Sequence, residues 1–365
     1  MLKLDAPLQP PTHPSDCRVV MHGSAELPDQ LARLGAYCEG RGPCPLSCHP
    51  AWLTILQGSL RHTPYCLEAV EQGRTRGLLA LCHVQSLLFG RFLVSLPYVN
   101  YGGALADDDR IAGLLIDRAV RLAQDLRVRY LELRHEFNFP HPSLSGRQCD
   151  KLNMRRALPA TADELWNRLN SSVRNQVRKG RKNGLTVHWG SQELLGEFYD
   201  IFSQNMRDLG TPVYGRRLFQ MTLEQFGQRA ELCVVRAEGK ALSSALLLHG
   251  WGVTEVPSAS SLRQFNHTNA NMLMYWHLLE RAVERQQSAF DFGRCSADSS
   301  THRFKKQWGV EPTPAEWQYY PSEGNGHVGT VRASNPRYQR LIGWWKRLPV
   351  SVTRVLGPLV VRGIP

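Results

Sequence analysis

The strongest constraint on this chain is that it carries the same unit twice. Cys66-Leu67-Glu68-Ala69-Val70-Glu71-Gln72-Gly73 is echoed 167 residues later by Cys233-Val234-Val235-Arg236-Ala237-Glu238-Gly239. Arg118-Ala119-Val120 returns as Arg281-Ala282-Val283, 163 residues on, and Leu131-Glu132-Leu133-Arg134 as Phe290-Asp291-Phe292-Gly293-Arg294, 159 on. Each match is short, but their order and near-constant offset point to a duplication. Each copy reads as hairpin, strand, helix, strand, an α/β unit with a mixed sheet. Helices of about 15 to 20 residues are predicted after Asp107-Asp108-Asp109 and after Asn269 or Asn271, residues able to cap them. At 365 residues two domains are the natural expectation.

Residues 77–97 are apolar except for His83, Gln85 and Arg91. They predict two strands turning at Phe89-Gly90-Arg91, because a membrane span would bury Arg91 near its centre. Lys and Arg number 44 against 32 acidic residues, a net charge of +12 that favours anionic partners: a phosphorylated substrate, RNA or an acidic membrane. Nine scattered cysteines do not read as a disulfide framework and fit a reducing cytoplasm. Cys38, Cys44, Cys48 and His49 are crowded but match no standard zinc spacing, so no metal is expected. Leu2-Lys3-Leu4-Asp5 runs straight into prolines from Pro7 to Pro14, unlike a secretory leader.

The stretch with most chemistry is Asp291-Phe292-Gly293-Arg294 followed by Arg303-Phe304-Lys305-Lys306-Gln307-Trp308-Gly309. It reads as the end of a buried strand running into a cationic loop. Cations beside an aromatic wall suit an anionic ligand or an oxyanion formed in acyl transfer; a salt bridge beside a core strand is the plainer alternative. Between the copies, Arg168, Arg174, Arg178, Lys179, Arg181 and Lys182 occur with no acid among them. At helical spacing they form a cationic stripe ending at Gly184, fit for phosphate. Asn205-Met206-Arg207-Asp208 ends a helix begun near Glu193, and Arg207 and Asp208 could pair to clamp the loop that follows. Arg263 to Asn271, the loop before the second helix, has no glycine of the kind that lets backbone approach a diphosphate. In the tail, Tyr338, Leu341, Ile342, Trp344, Trp345 and Leu348 fall at near-helical spacing among Arg337, Arg340, Lys346 and Arg347. That pattern predicts either an interfacial helix on an anionic membrane or a helix docked on its own protein.

The Asp291–Gly309 stretch and Asn205–Tyr214 resemble the FemAB-related proteins, in particular the branch associated with exosortase (PEP-CTERM) exopolysaccharide systems. Leu93–Tyr98 with Gly102-Gly103, Thr254-Glu255-Val256-Pro257 and Asn271–Trp276 carry the resemblance from about residue 45 to 320. Ser258 stands where the resemblance leads one to expect tryptophan, and Cys295 where serine is expected. The resemblance implies two tandem acetyltransferase-like (GNAT) domains, at 16–160 and 191–325. A proline-rich start (1–15), a basic linker helix (161–190) and a basic amphipathic tail (326–365) would flank and join them. It further implies an acyl- or aminoacyl-transferase that forms an amide or ester on a cell-envelope or exopolysaccharide precursor. Lys305 would stabilise the oxyanion, with Asp291 and Arg294 beside it in the catalytic group. Substrate would be bound by Arg174, Arg178, Lys182, Arg207, Asp208 and Tyr214, and by Glu255, Ser258, Asn271, Tyr275, Phe304 and Trp308. Aminoacyl-tRNA is the expected donor and a phosphorylated or lipid-linked saccharide or peptide the acceptor. No resident cofactor and no DNA are implied, and the expected location is cytoplasmic, either free or peripheral on the inner face of the cytoplasmic membrane. A coenzyme A-dependent N-acyltransferase and a non-catalytic binding module remain the alternatives.

Overall fold

The computed structural model describes residues 17–86, 89–321 and 336–364, without the side chains of 321 and 336–339. The proline-rich start lies outside the described residues.

The first copy runs β1 (Arg18–His22), α1 (Leu27–Glu39), α2 (Ala51–Leu60), β2 (Thr63–Glu71), β3 (Arg74–Ser86) and β4 (Gly90–Val94). It continues through β5 (Leu105–Ala106), α3 (Asp109–Asp125) and β6 (Tyr130–His135). Next come β7 (Gly146–Gln148), β8 (Lys151–Ala157), α4 (Ala162–Asn167) and α5 (Ser171–Lys182). The second copy repeats the order as β9 (Thr186–Gly190), α6 (Leu195–Leu209), α7 (Arg216–Phe226), β10 (Ala230–Ala237), β11 (Lys240–His249) and β12 (Val253–Ser261). It ends with α8 (Ala270–Glu284) and β13 (Ala289–Ser296). The chain then forms α9 (Ser300–Lys306), β14 (Glu311–Pro314), β15 (Glu316–Pro321), α10 (Pro336–Trp345) and α11 (Val350–Val361).

The three echoed motifs fall on equivalent elements: β2 and β10, α3 and α8, β6 and β13. The apolar stretch from residue 77 is the hairpin of β3 and β4, with Ser86 paired to Gly90. Asp108 caps α3 by accepting from Ile111 N at 2.8 Å. The second helix starts behind Asn269, which makes no side-chain cap bond.

The sheets have the orders β1-β2-β3-β4-β6-β15-β7, with β5 added to β3, and β14-β8-β13-β12-β11-β10-β9. The units exchange strands. β8, which follows the first unit in sequence, pairs with β13 of the second, while β15, after the second unit, pairs with β6 of the first. Consecutive bounds at 160, 191 and 325 therefore do not separate the two sheets. Helix α3 covers one sheet and α8 the other, each over its own apolar cluster. A third cluster joins α1 and α2 to α6 and α7, so the units also share a core.

Three local expectations are corrected. Asp291 is the third residue of eight in β13, not at a strand end. The cationic segment after it is no loop: α9 forms behind Ser299, which accepts from His302 N. The tail makes a second helix, α11, beyond the single one its periodicity suggests.

Candidate active site

The parallel pairing of β12 with β13 is only three residues long: Val253–Ala289, Thr254–Phe290 and Glu255–Asp291. Both strands then bulge. β12 gains a residue against β11 between Glu255 and Ser258, where Pro257 lacks the N–H a regular ladder would use. β13 gains one against β8 between Asp291 and Arg294, and Gly293 occupies the bulge at φ +73°, where a side chain would be strained. The strands part at the level of Glu255 and Asp291, whose direct pairing puts both carboxylates on one face.

Both are fully buried. Asp291 Oδ2 accepts from Tyr101 Oη at 2.5 Å and from Arg155 Nε at 3.2 Å, and Oδ1 accepts from Gly293 N at 2.7 Å. Arg155 also donates to Glu136 at 2.6 Å and lies over the Tyr101 ring. Glu255 accepts from Ser47 N at 2.8 Å and from the Ser47 hydroxyl. Burial, and then the neighbouring Asp291, push the Glu255 carboxyl up to about 7, against the opposing bonds from Ser47. Burial likewise raises Glu136.

Lys305, on α9, is buried beside this group. Its ammonium donates to Gly293 O and to Arg294 O, each at 3.1 Å, so the bulge in β13 supplies the carbonyls that hold it. An ammonium has three N–H bonds, and these two contacts leave one. Burial lowers the Lys305 pKa to about 8, with the charges of Cys295 and Asp291 opposing. A buried base, a buried acid and a strand bulge thus converge at one point, a combination characteristic of sites that move protons.

The other residues singled out by sequence are spread more widely. The Arg294 guanidinium stacks on Trp317 at 3.9 Å, and Arg134, its counterpart in the first unit, lies 4.2 Å over the same ring. Among the described residues Arg294 Nε is buried without a hydrogen-bond partner, and burial lowers the guanidinium pKa to about 9, followed by the charge of Arg134. Tyr275 stacks on Phe292 and meets Phe304 and Trp308 edge-on or tilted, so the four form one aromatic wall beneath the site. Asn271 is half-buried in the first turn of α8, and Ser258 is half-buried opposite Leu246. Tyr214 packs among Tyr98, Phe202 and Phe219. Arg207 pairs with Asp208 at 2.7 Å and donates to Leu348 O at 3.0 Å, which makes this pair a clamp on the tail. On α5, Val173, Val177 and Gly180 are buried, Arg174 is half-buried, and Arg178, Lys179, Arg181 and Lys182 are exposed. Arg178 and Arg181 both lie over Trp166, and among the described residues none of these five cations forms an ion pair. His49 stacks on Trp251, and among the described residues no three His, Cys, Asp or Glu side chains gather as a metal site.

Residues 167–306 match the family described as an acetyltransferase (GNAT) domain. No curated protein matches the chain at a significant level. Among solved structures, FemX superposes with a TM-score of 0.62 at 14% identity, covering 87% of this chain and 98% of FemX. L-PGS from Bacillus licheniformis gives 0.55 at 13%, covering 89% and 96%. A conserved protein from Bacteroides thetaiotaomicron gives 0.51 at 8%, covering 80% and 96%. The fold is Fem-like, two GNAT units in tandem. The family match spans the second unit, with its parted strands β12 and β13, together with α5 and α9.

Four members of the candidate site gave no usable signal of their own in sequence. Ser47 reaches Glu255 across 208 residues and Tyr101 reaches Asp291 across 190. Arg155 and Glu136 join through the strand exchange that places β8 beside β13. The one available hint was Gly102-Gly103 next to Tyr101. Both glycine N–H groups donate to Arg134 O at 3.1 Å, which fixes the loop carrying Tyr101 against the end of β6.

Proposed function

We propose that this protein is an acyltransferase that moves an aminoacyl or other acyl group directly onto an amine or hydroxyl of a cell-envelope or exopolysaccharide precursor. The observation that carries the reading is the pairing of Glu255 with Asp291 at the parting of two bulged strands, with the Lys305 ammonium held on the carbonyls of one bulge. In the proposed reaction the acceptor nitrogen or oxygen attacks the acyl carbonyl and gives up its proton to Glu255. The new N–C or O–C bond forms, negative charge gathers on the carbonyl oxygen, and the free N–H of Lys305 stabilises it. As the intermediate collapses, the bond to the leaving oxygen breaks and the proton returns to that oxygen. A carboxyl near pH 7 and an ammonium near pH 8 suit these tasks at neutral pH. Proton acceptance falls to Glu255 and not Asp291, because Asp291 already accepts three hydrogen bonds. Asp291 is a positioning residue. Arg294, with no carboxylate partner among the described residues, can take an anionic group of the substrate.

Aminoacyl-tRNA is the donor we favour. The exposed cations of α5 suit a phosphate backbone. Neither interior helix offers a ready diphosphate cradle: α3 is capped by Asp108 and carries Asp109 in its first turn. At the start of α8, Gly180 of α5 packs near Asn269 O, and Asn183 donates to Thr268 O at 3.0 Å. The match to the acetyltransferase family supports a second reading, a coenzyme A-dependent N-acyltransferase. Labelled aminoacyl-tRNA and acyl-CoA, each incubated with protein and extracted cell-envelope precursors, separate the two. Label carried to acceptor from aminoacyl-tRNA alone is the expected result. Transfer from acyl-CoA, with the melting temperature raised by coenzyme A, moves the second reading to first place. Transfer from neither donor leaves a binding module.

A further inference from the structure

Helix α11 is packed inside out. Its buried residues are Thr353, Gly357 and Val361, spaced by four, and they face the protein. A Cβ on Gly357 would lie 2.7 Å from Val213 N, so only glycine permits this approach. Tyr98 Oη donates to Val361 O at 3.1 Å, and Arg354 donates to Asp200 at 2.6 Å and to Ser203 at 2.8 Å. The larger residues face outward: Val355 is 68% exposed, Leu359 59%, Leu356 39% and Val352 37%. On α10, Leu341 and Trp344 are each 61% exposed. Six of the nine large apolar side chains exposed among the described residues therefore lie on two adjoining helices. Both rest on the stretch from Arg207 to Gly215, through Ile342 at Gly210 and Pro358 at Gly215. A helix that hides its small residues and shows its large ones marks a face that another apolar phase can cover.

The charge pattern identifies that phase. From residue 324 to the last residue the sequence has no Asp or Glu. Arg340, Lys346, Arg347 and Arg362 are exposed around the apolar face. A second copy docked on the same face would bring these cations against their equivalents. An anionic lipid surface instead accepts the apolar side chains into its headgroup boundary and neutralises the cations, with a tryptophan at the interface. We propose that α10 and α11 together form a docking surface for anionic membrane, α11 supplying the larger apolar face. It is independent of the transfer chemistry, since no residue of the candidate active site takes part.

Removing the tail would be a poor test, because a chain ending at Ser334 also strips Thr353, Gly357 and Val361 from the body. Substitutions on the exposed side are cleaner. Full-length protein should float with vesicles of phosphatidylglycerol and phosphatidylcholine at low salt and remain behind with phosphatidylcholine alone. Val355→Asp with Leu359→Asp should weaken flotation about tenfold or more and leave the melting temperature within a degree or two, since both side chains are exposed. If that pair fails to fold, quenching of tryptophan emission by brominated phosphatidylglycerol, lost in Trp344→Phe, serves instead. Raising the salt concentration should release the protein. Equal flotation on both vesicle types would overturn the assignment to an anionic surface. Flotation unaffected by V355D/L359D and W344F would remove these helices from the contact. A concentration-dependent dimer lost in V355D/L359D, with no vesicle binding, would assign the face to a second copy.

Discussion

Glu255→Gln tests the candidate site without knowledge of the substrate. Glu255 is fully buried, and its pKa is raised from an ordinary 4.5 to about 7. A carboxyl whose folded-state pKa lies above its unfolded one favours folding below pH 4.5 and loses that advantage as pH rises through 7. At about 1.4 kcal/mol per pH unit, the wild-type chain should lose on the order of 3 kcal/mol between these limits from this group alone. Glutamine cannot ionise. It keeps an oxygen for Ser47 N, while the Ser47 hydroxyl can turn to suit its amide. Urea denaturation of both proteins at half-unit steps from pH 4.5 to 7.5 gives the difference directly. E255Q should gain about 3 kcal/mol relative to wild type across the window, most of it between pH 5 and 7. The upper limit stays below pH 8 so that Lys305, lowered to about 8, contributes little. Curves that run parallel would show that Glu255 does not ionise in a buried site over this range, and the assignment of proton acceptance to it would fall.

Lys305→Met should lower turnover about a hundredfold with acceptor KM little changed, if the ammonium acts on charge formed in the transition state. A raised KM with turnover retained would make Lys305 an anchor instead. The same variant should lack the rise in stability that wild type shows between pH 8 and 10.5, the window in which the unfolded chain holds the Lys305 proton and the folded one does not. Gly293→Ala puts a side chain at φ +73° and within 3.2 Å of Asn100, and should lower stability by about 1–2 kcal/mol by urea denaturation. A neutral result would mean that the bulge tolerates a side chain and is not a fixed mount for Lys305.

Much of this architecture is written locally, and local patterns survive in sequence. Alternation and apolar runs mark β2 and β10 as strands, and their echoed motifs reveal two copies of one unit. Asp108 marks the start of α3. The Lys305 region was found by its residue types and by the resemblance, although it forms a helix where a loop was expected. What the sequence by itself determined is the unit, its repetition and the neighbourhood of the chemistry, because backbone propensity and periodicity act over a few residues. Tertiary structure alone decided which strand closes which sheet: β8 and β15 are chemically ordinary strands, and nothing within them encodes a partner in the other unit. The same holds for Ser47 on Glu255 and Tyr101 on Asp291, contacts of single polar atoms across 208 and 190 residues that leave no periodic trace. It holds too for α11, whose glycine and proline read as helix breakers. Only the close seat on Val213 turns Gly357 into a contact and leaves the large side chains facing out.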